Sequence, residues 1–147
     1  MRSAQQRKSD AIEKLNKDPD VWVATADDRG IAHLVPLSLC WHDGMVVVAV
    51  EASSRTARNA SGSGQARLAL GPTRDVVMID AQAASVVARE DAGPAITGAY
   101  RERTGWEPGS DGGDWVYVLF KPARIQVWRE VDEIPGRTVM AHGAWLA

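Results

Sequence analysis

Between Val21 and Leu70 three apolar, strand-like runs are followed by a polar run, Ser53-Ser54-Arg55-Thr56-Ala57-Arg58-Asn59, and then by a fourth strand-like run. That rhythm of short apolar segments and turn residues points to strands joined in a meander. Val21 to Thr25 reads as a strand, Asp27-Asp28-Arg29-Gly30 as a hairpin turn, Ala32 to Trp41 as one longer strand and His42-Asp43-Gly44 as the next turn. Met45 to Val50 is apolar at every position, which predicts a strand buried on both faces.

The flanks extend the pattern. Ser3 to Lys17 carries Ala4, Ala11, Ile12 and Leu15 among charges and stops at Asp18-Pro19, so it reads as an amphipathic helix capping a barrel end. Thr56 to Ala60 can form one or two helical turns before Ser61-Gly62-Ser63-Gly64 ends them. Ala66 to Leu70 and, after the Gly71-Pro72 turn, Asp75 to Val87 read as strands, and Ala95 to Arg103 as a helix candidate. The glycine- and acid-rich stretch from Gly105 to Asp114 reads as the mobile segment, suited to a lid. Trp115 to Phe120 and Arg124 to Arg129 are expected as two final strands on either side of Lys121-Pro122, with Glu133 to Ala147 running on as a tail.

These elements predict one all-β dominated (β+α) domain over residues 1–147, a six- to seven-stranded antiparallel split β-barrel with two or three short helices. Closure is expected because an open sheet of such apolar strands leaves adhesive edges. A formal net charge of -2 gives no electrostatic reason to expect nucleic acid or an anionic membrane as partner. No apolar run is long enough to span a bilayer, and Met1 to Lys17 lacks the apolar centre of a secretion signal, so the expected location is cytoplasmic. The single cysteine, Cys40, between Leu39 and Trp41, reads as a buried structural thiol. His33, His42 and His142 are too scattered to read as metal ligands.

The chemistry concentrates in the polar run. Arg55 and Arg58 can offer planar forks of N–H donors, and Ser53, Ser54 and Thr56 add short hydroxyls, a donor set suited to a phosphate monoester or diester. The competing reading is a polar loop in which Ser54 caps a helix. Arg74 and Asp75 read as a surface ion pair, and His33 as a core or rim residue sharing a strand face with Val35 and Leu37. Trp128 reads as interface packing, while Trp106 is open between packing and stacking on a ligand.

The order Gly30, Val35-Pro36-Leu37, Asp43-Gly44, Val46 to Val50 and Ser54-Arg55-Thr56-Ala57-Arg58-Asn59 resembles the split β-barrel flavin-binding proteins related to pyridoxamine 5′-phosphate oxidase, over roughly residues 10 to 130. The resemblance implies a homodimer with two cofactors at the subunit interface, each ring lying against strand backbone of one chain and side chains of the other. It carries ring and ribityl contacts onto Val35, Pro36, Leu37, Ala49 and Val50, and the cofactor phosphate onto Ser54 and Arg55. Thr56 occupies the position of the family's phosphate-binding lysine, a loss of one positive charge. Arg58-Asn59 and the Ala-, Arg-, Trp- and Val-rich composition are similar to the branch that uses the 5-deazaflavin coenzyme F420 in place of FMN. The implied activity is hydride transfer between the reduced cofactor and a small organic substrate, with no catalytic side chain required because the ring carries the hydride. The alternative is a non-catalytic carrier or store for haem or a flavin on the same fold.

Overall fold

Ser3 starts the first element: its Oγ accepts the Gln6 N–H at 3.1 Å, and the helix α1 (Ala4–Lys17) runs from there to Asp18. In the computed structural model, which describes residues 1–147, this helix buries Arg7, Ala11 and Leu15. The apolar pair lies one turn apart on a single face, as an amphipathic helix requires. The sheet follows as β1 (Asp20–Ala26), β2 (Ala32–Ser38), β3 (Cys40–His42) and β4 (Met45–Glu51), and after helix α2 (Arg55–Ser61) as β5 (Gln65–Leu70) and β6 (Val76–Ala88). Helix α3 (Pro94–Thr104) precedes β7 (Trp115–Trp128), β8 (Thr138–Ala141) and β9 (Ala144–Trp145).

All nine strands belong to one antiparallel sheet in the order β2-β1-β5-β6-β7-β4-β3, with the β8-β9 hairpin hung on β7. The hydrogen-bonded path stays open between β2 and β3, which corrects the expectation of a closed barrel; the architecture is a split barrel of mixed β+α type. The reason lies at Leu39. The expected single strand from Ala32 to Trp41 breaks there, because the Leu39 N–H leaves the ladder to donate to Pro19 O at 2.9 Å while its side chain enters the core. The residues before it pair with β1 and those after it with β4. Pro36 lies on β2, an edge strand, where a residue without an N–H costs the sheet no ladder bond.

Two further expectations are corrected. Lys121-Pro122 does not divide two strands: β7 is continuous, and Pro122 faces Ala81 at a register shift in the β6–β7 ladder, a bulge where a missing N–H is tolerated. The segment after Glu133 is no loose tail, since β8 pairs with β7 and buries Val139 and Met140 in the core.

Continuous burial of Val46 through Val50 agrees with the apolar run of β4, and alternation sorts it into two layers. Val46, Val48 and Val50 join Val118 and Phe120 inside the barrel. Val47 and Ala49 face the other way, with Tyr117 and Leu119, into a smaller cluster covered by Tyr100 of α3. The Gly105–Asp114 stretch is anchored beside that cluster by Trp106, whose ring meets Tyr100 edge-on at 6.0 Å and Trp115 at 5.0 Å between centroids. Trp106 is therefore a packing residue. No helix is long and apolar enough to cross a membrane.

Candidate functional site

Helix α2 forms because Ser54, extended at its N-cap, accepts the Ala57 N–H on Oγ at 3.1 Å, so the capping reading of Ser54 holds. Seven residues of helix then divide by face. Thr56, Ala57, Asn59 and Ala60 are buried, whereas Arg55 and Arg58, three residues apart and so neighbours on the surface, are exposed. Asn59 Nδ2 donates to Thr25 Oγ1 at 3.0 Å in the interior, tying the helix to β1. Arg58 Nη1 donates to Ser53 O at 2.9 Å, which orients its guanidinium over the start of the helix.

The outward arginines line a concavity of about 180 Å³ together with Asn59, His33 and Ala32 from β2, and Asp27 and Ile31 from the β1–β2 turn. Three expected residues, Arg55, Arg58 and Asn59, thus converge. His33, read from sequence as a core or rim position, is half-buried on the wall of this same concavity. Asp27 is the one carboxylate there, and its Oδ1 is occupied by the N–H groups of Arg29 and Ile31, both at 2.9 Å. Two cationic forks against one carboxylate already engaged by main chain leave a site that favours an anion.

The other expected residues lie elsewhere. Val35, Pro36 and Leu37 follow His33 along β2, with Pro36 exposed and its neighbours half-buried. The side of β2 away from β1 has no sheet partner, so main-chain groups there are open to a ligand or a second chain. Ala49 and Val50 are 5% and 6% exposed, face opposite layers of core, and pair with Tyr117 and Val116 of β7. They do not line the concavity. Thr56, 1% exposed, turns its side chain into the protein, so the hydroxyl expected among the phosphate donors is not at the surface.

Sequence reading missed two buried phenols in the smaller cluster, away from this concavity. Tyr100 and Tyr117 are fully buried, their rings 5.4 Å apart, and neither hydroxyl has a hydrogen-bond partner. Burial raises the pKa of both and that of the Cys40 thiol in the same cluster, so Cys40 is a structural thiol. Arg74 pairs with Glu130 rather than with its sequence neighbour, while Asp75 takes Lys14 and Arg129.

No protein-family model and no curated protein matches this sequence. Solved structures do share the fold. An F420 reductase superposes with a TM-score of 0.63 at 14% identity, over 77% of this chain and 93% of that one. The putative pyridoxamine 5′-phosphate oxidase of Listeria innocua gives 0.63 at 12% identity, over 82% and 96%. A haem-binding protein of Mycobacterium smegmatis gives 0.65 at 16% identity, over 97% of this chain and 59% of that one. The chain has the pyridoxamine 5′-phosphate oxidase-like fold.

Proposed function

We propose that the chain is an oxidoreductase that binds a phosphorylated flavin-type cofactor, F420 in preference to FMN, with the phosphate seated between Arg55 and Arg58. The observation that carries this reading is the convergence of those two exposed guanidiniums with Asn59 and His33 around one concavity. At about 180 Å³ it has room for a phosphate and the start of a ribityl chain but not for a tricyclic ring. The ring then belongs outside, along the unpaired edge of β2 at Val35, Pro36 and Leu37.

When bound, such a cofactor supplies the hydride-carrying ring. What the chain contributes is placement and dryness. Arg55 and Arg58 bind the anionic tail and set the register of the ring along β2. Open main-chain groups of β2 offer hydrogen bonds to polar ring edges. The exposed apolar side chains beside that edge, Trp22 at 49% and Leu34 at 60%, suit cover by a second copy of the chain, making the working unit a homodimer. A small organic substrate would meet the ring in the same cleft.

A carrier or store for haem or a flavin is the second reading, favoured by one observation: Thr56, at the expected lysine position, is buried and adds nothing to anion binding. Titration with FMN and with F420, followed by ring fluorescence, tests the first reading. Failure of both to bind below about millimolar, an affinity of about 4 kcal/mol, ends it. Binding without oxidation of the reduced cofactor by any of a broad panel of organic acceptors supports the carrier.

A further inference from the structure

We propose that the outer face of the sheet holds a second ligand site, separate from the Arg55 concavity, that takes a flat organic monoanion of the hydroxylated aromatic carboxylate class. Strand pairing sets Ala24, Arg67, Asp80 and Arg124 in one row across β1, β5, β6 and β7. Their chain neighbours Val23, Leu68, Ile79 and Ile125 are each 0% exposed, so alternation turns the row away from the core. Over the Ala24, Arg67 and Asp80 part of the row, with Arg124 bonded to Asp80 from outside the lining, lies a groove of about 490 Å³, within the range of small-ligand sites and nearly three times the volume of the Arg55 concavity.

The groove owes its shape to small residues. Ala24 and Ala26 on β1 and Ala123 at the β7 bulge leave strand backbone as much of the floor. A planar ring can lie flat on such a surface.

Its charge comes from an incomplete pairing. Asp80 accepts Arg67 Nε on Oδ1 at 2.7 Å and Arg124 Nε on Oδ2 at 2.6 Å. Two guanidiniums on one carboxylate leave a local charge of +1 in a chain whose formal charge is -2. Arg67 meets Asp80 through Nε alone, so both of its Nη groups remain for a carboxylate, and at 55% side-chain exposure it can turn toward one at little cost.

A third polar feature selects the far end of the ligand. Gln82 Nε2 donates to Ser63 O at 2.8 Å, which fixes the amide and leaves Oε1 as an acceptor for a hydroxyl. Gln65 stands directly across the ladder from it.

The test uses the full chain without cofactor and 4-hydroxybenzoate as probe, followed through backbone amide shifts. Saturable shifts at Ala24, Arg67 and Gln82 are expected. Affinity should fall at least about tenfold in Arg67→Ala, and by a similar factor when the neutral 4-hydroxybenzamide replaces the probe, the usual scale for a charged hydrogen bond. Ala26→Leu, which fills the groove while keeping every charge, should also abolish binding, whereas Arg55→Ala should bind as wild type does. The proposal is overturned if no saturable shift occurs up to about 10 mM, if Arg67→Ala binds equally well, or if the shifts cluster at Arg58 and Asn59. It is also overturned if the chain self-associates and hydrogen exchange shows the row from Ala24 to Arg124 buried by a second copy. None of these results depends on whether a flavin-type cofactor binds, but Leu34 pairs with Ala24 at the end of this row, so the site requires that a second copy covering Trp22 and Leu34 stop short of Arg67.

Discussion

Asn59 Nδ2 lies 3.0 Å from Thr25 Oγ1 inside the protein, and this one bond locks α2 onto β1 with Arg55 and Arg58 facing outward. Both partners are nine-tenths buried or more, so neither can turn to water if the other is removed. Asn59→Ala should therefore lower stability by about 1–3 kcal/mol in denaturant unfolding. In a cycle with Thr25→Val the two losses should be non-additive by about 0.5 kcal/mol or more. Additive losses would show that the bond does not hold the helix.

Arg55 lies on an exposed face and contributes no packing, so its removal should leave folding nearly unchanged. Arg55→Ala should weaken FMN or F420 binding by about 1.5–3 kcal/mol, the scale of a hydrogen bond to a charged group. Riboflavin, which lacks the phosphate, separates the causes. Its affinity should be the same in wild type and variant, and an equal loss for both ligands would place Arg55 against the ring instead.

The arginine pair was legible in the sequence because helical spacing alone puts positions 55 and 58 on one face, and Ser54 marks where the helix begins. Strand identities were legible for the same kind of reason, since period-two burial is written into β1 and β5. What escaped is tertiary. Leu39 sits inside an unbroken strand-like run, and only its bond to Pro19 across the chain reveals that the run changes partners there. Thr56 looks like a surface donor until the helix is docked, and His33 joins the concavity through the β1–β2 hairpin, which no local spacing encodes. Lys121-Pro122 reads as a break because the bulge that accommodates it belongs to the pairing with β6.

Tyr117 buries a hydroxyl with no partner. An unsatisfied buried donor costs about 1–3 kcal/mol, whereas the ring itself packs against Tyr100 and Leu119. Tyr117→Phe keeps the ring and removes the cost. Stability should stay level or rise by about 1 kcal/mol, read as an unchanged or higher denaturation midpoint. A marked loss would mean that the hydroxyl is bonded in solution.

Acid should act first through Glu133. Its carboxylate is 2.6 Å from Arg2 Nη2 and accepts further from the Arg2 and Arg129 N–H groups, at 2.9 and 2.8 Å. The Arg2 hydrogen bond is the main cause that holds the Glu133 pKa down at about 2, against an ordinary value of 4.5. Between those two values the unfolded chain binds the proton and the folded one does not, so stability rises with pH across the interval. The contribution is complete above about pH 4.5 and is lost as pH falls through about 2; its size is on the order of 2–3 kcal/mol. Glu133→Gln cannot titrate. The stability gap between wild type and this variant, measured by urea unfolding at pH 7, 4 and 2.5, should be widest at pH 7 and narrow toward pH 2.5. A gap that stays constant across the three values would place the strength of the N-terminal anchor in packing rather than in the charge of this carboxylate.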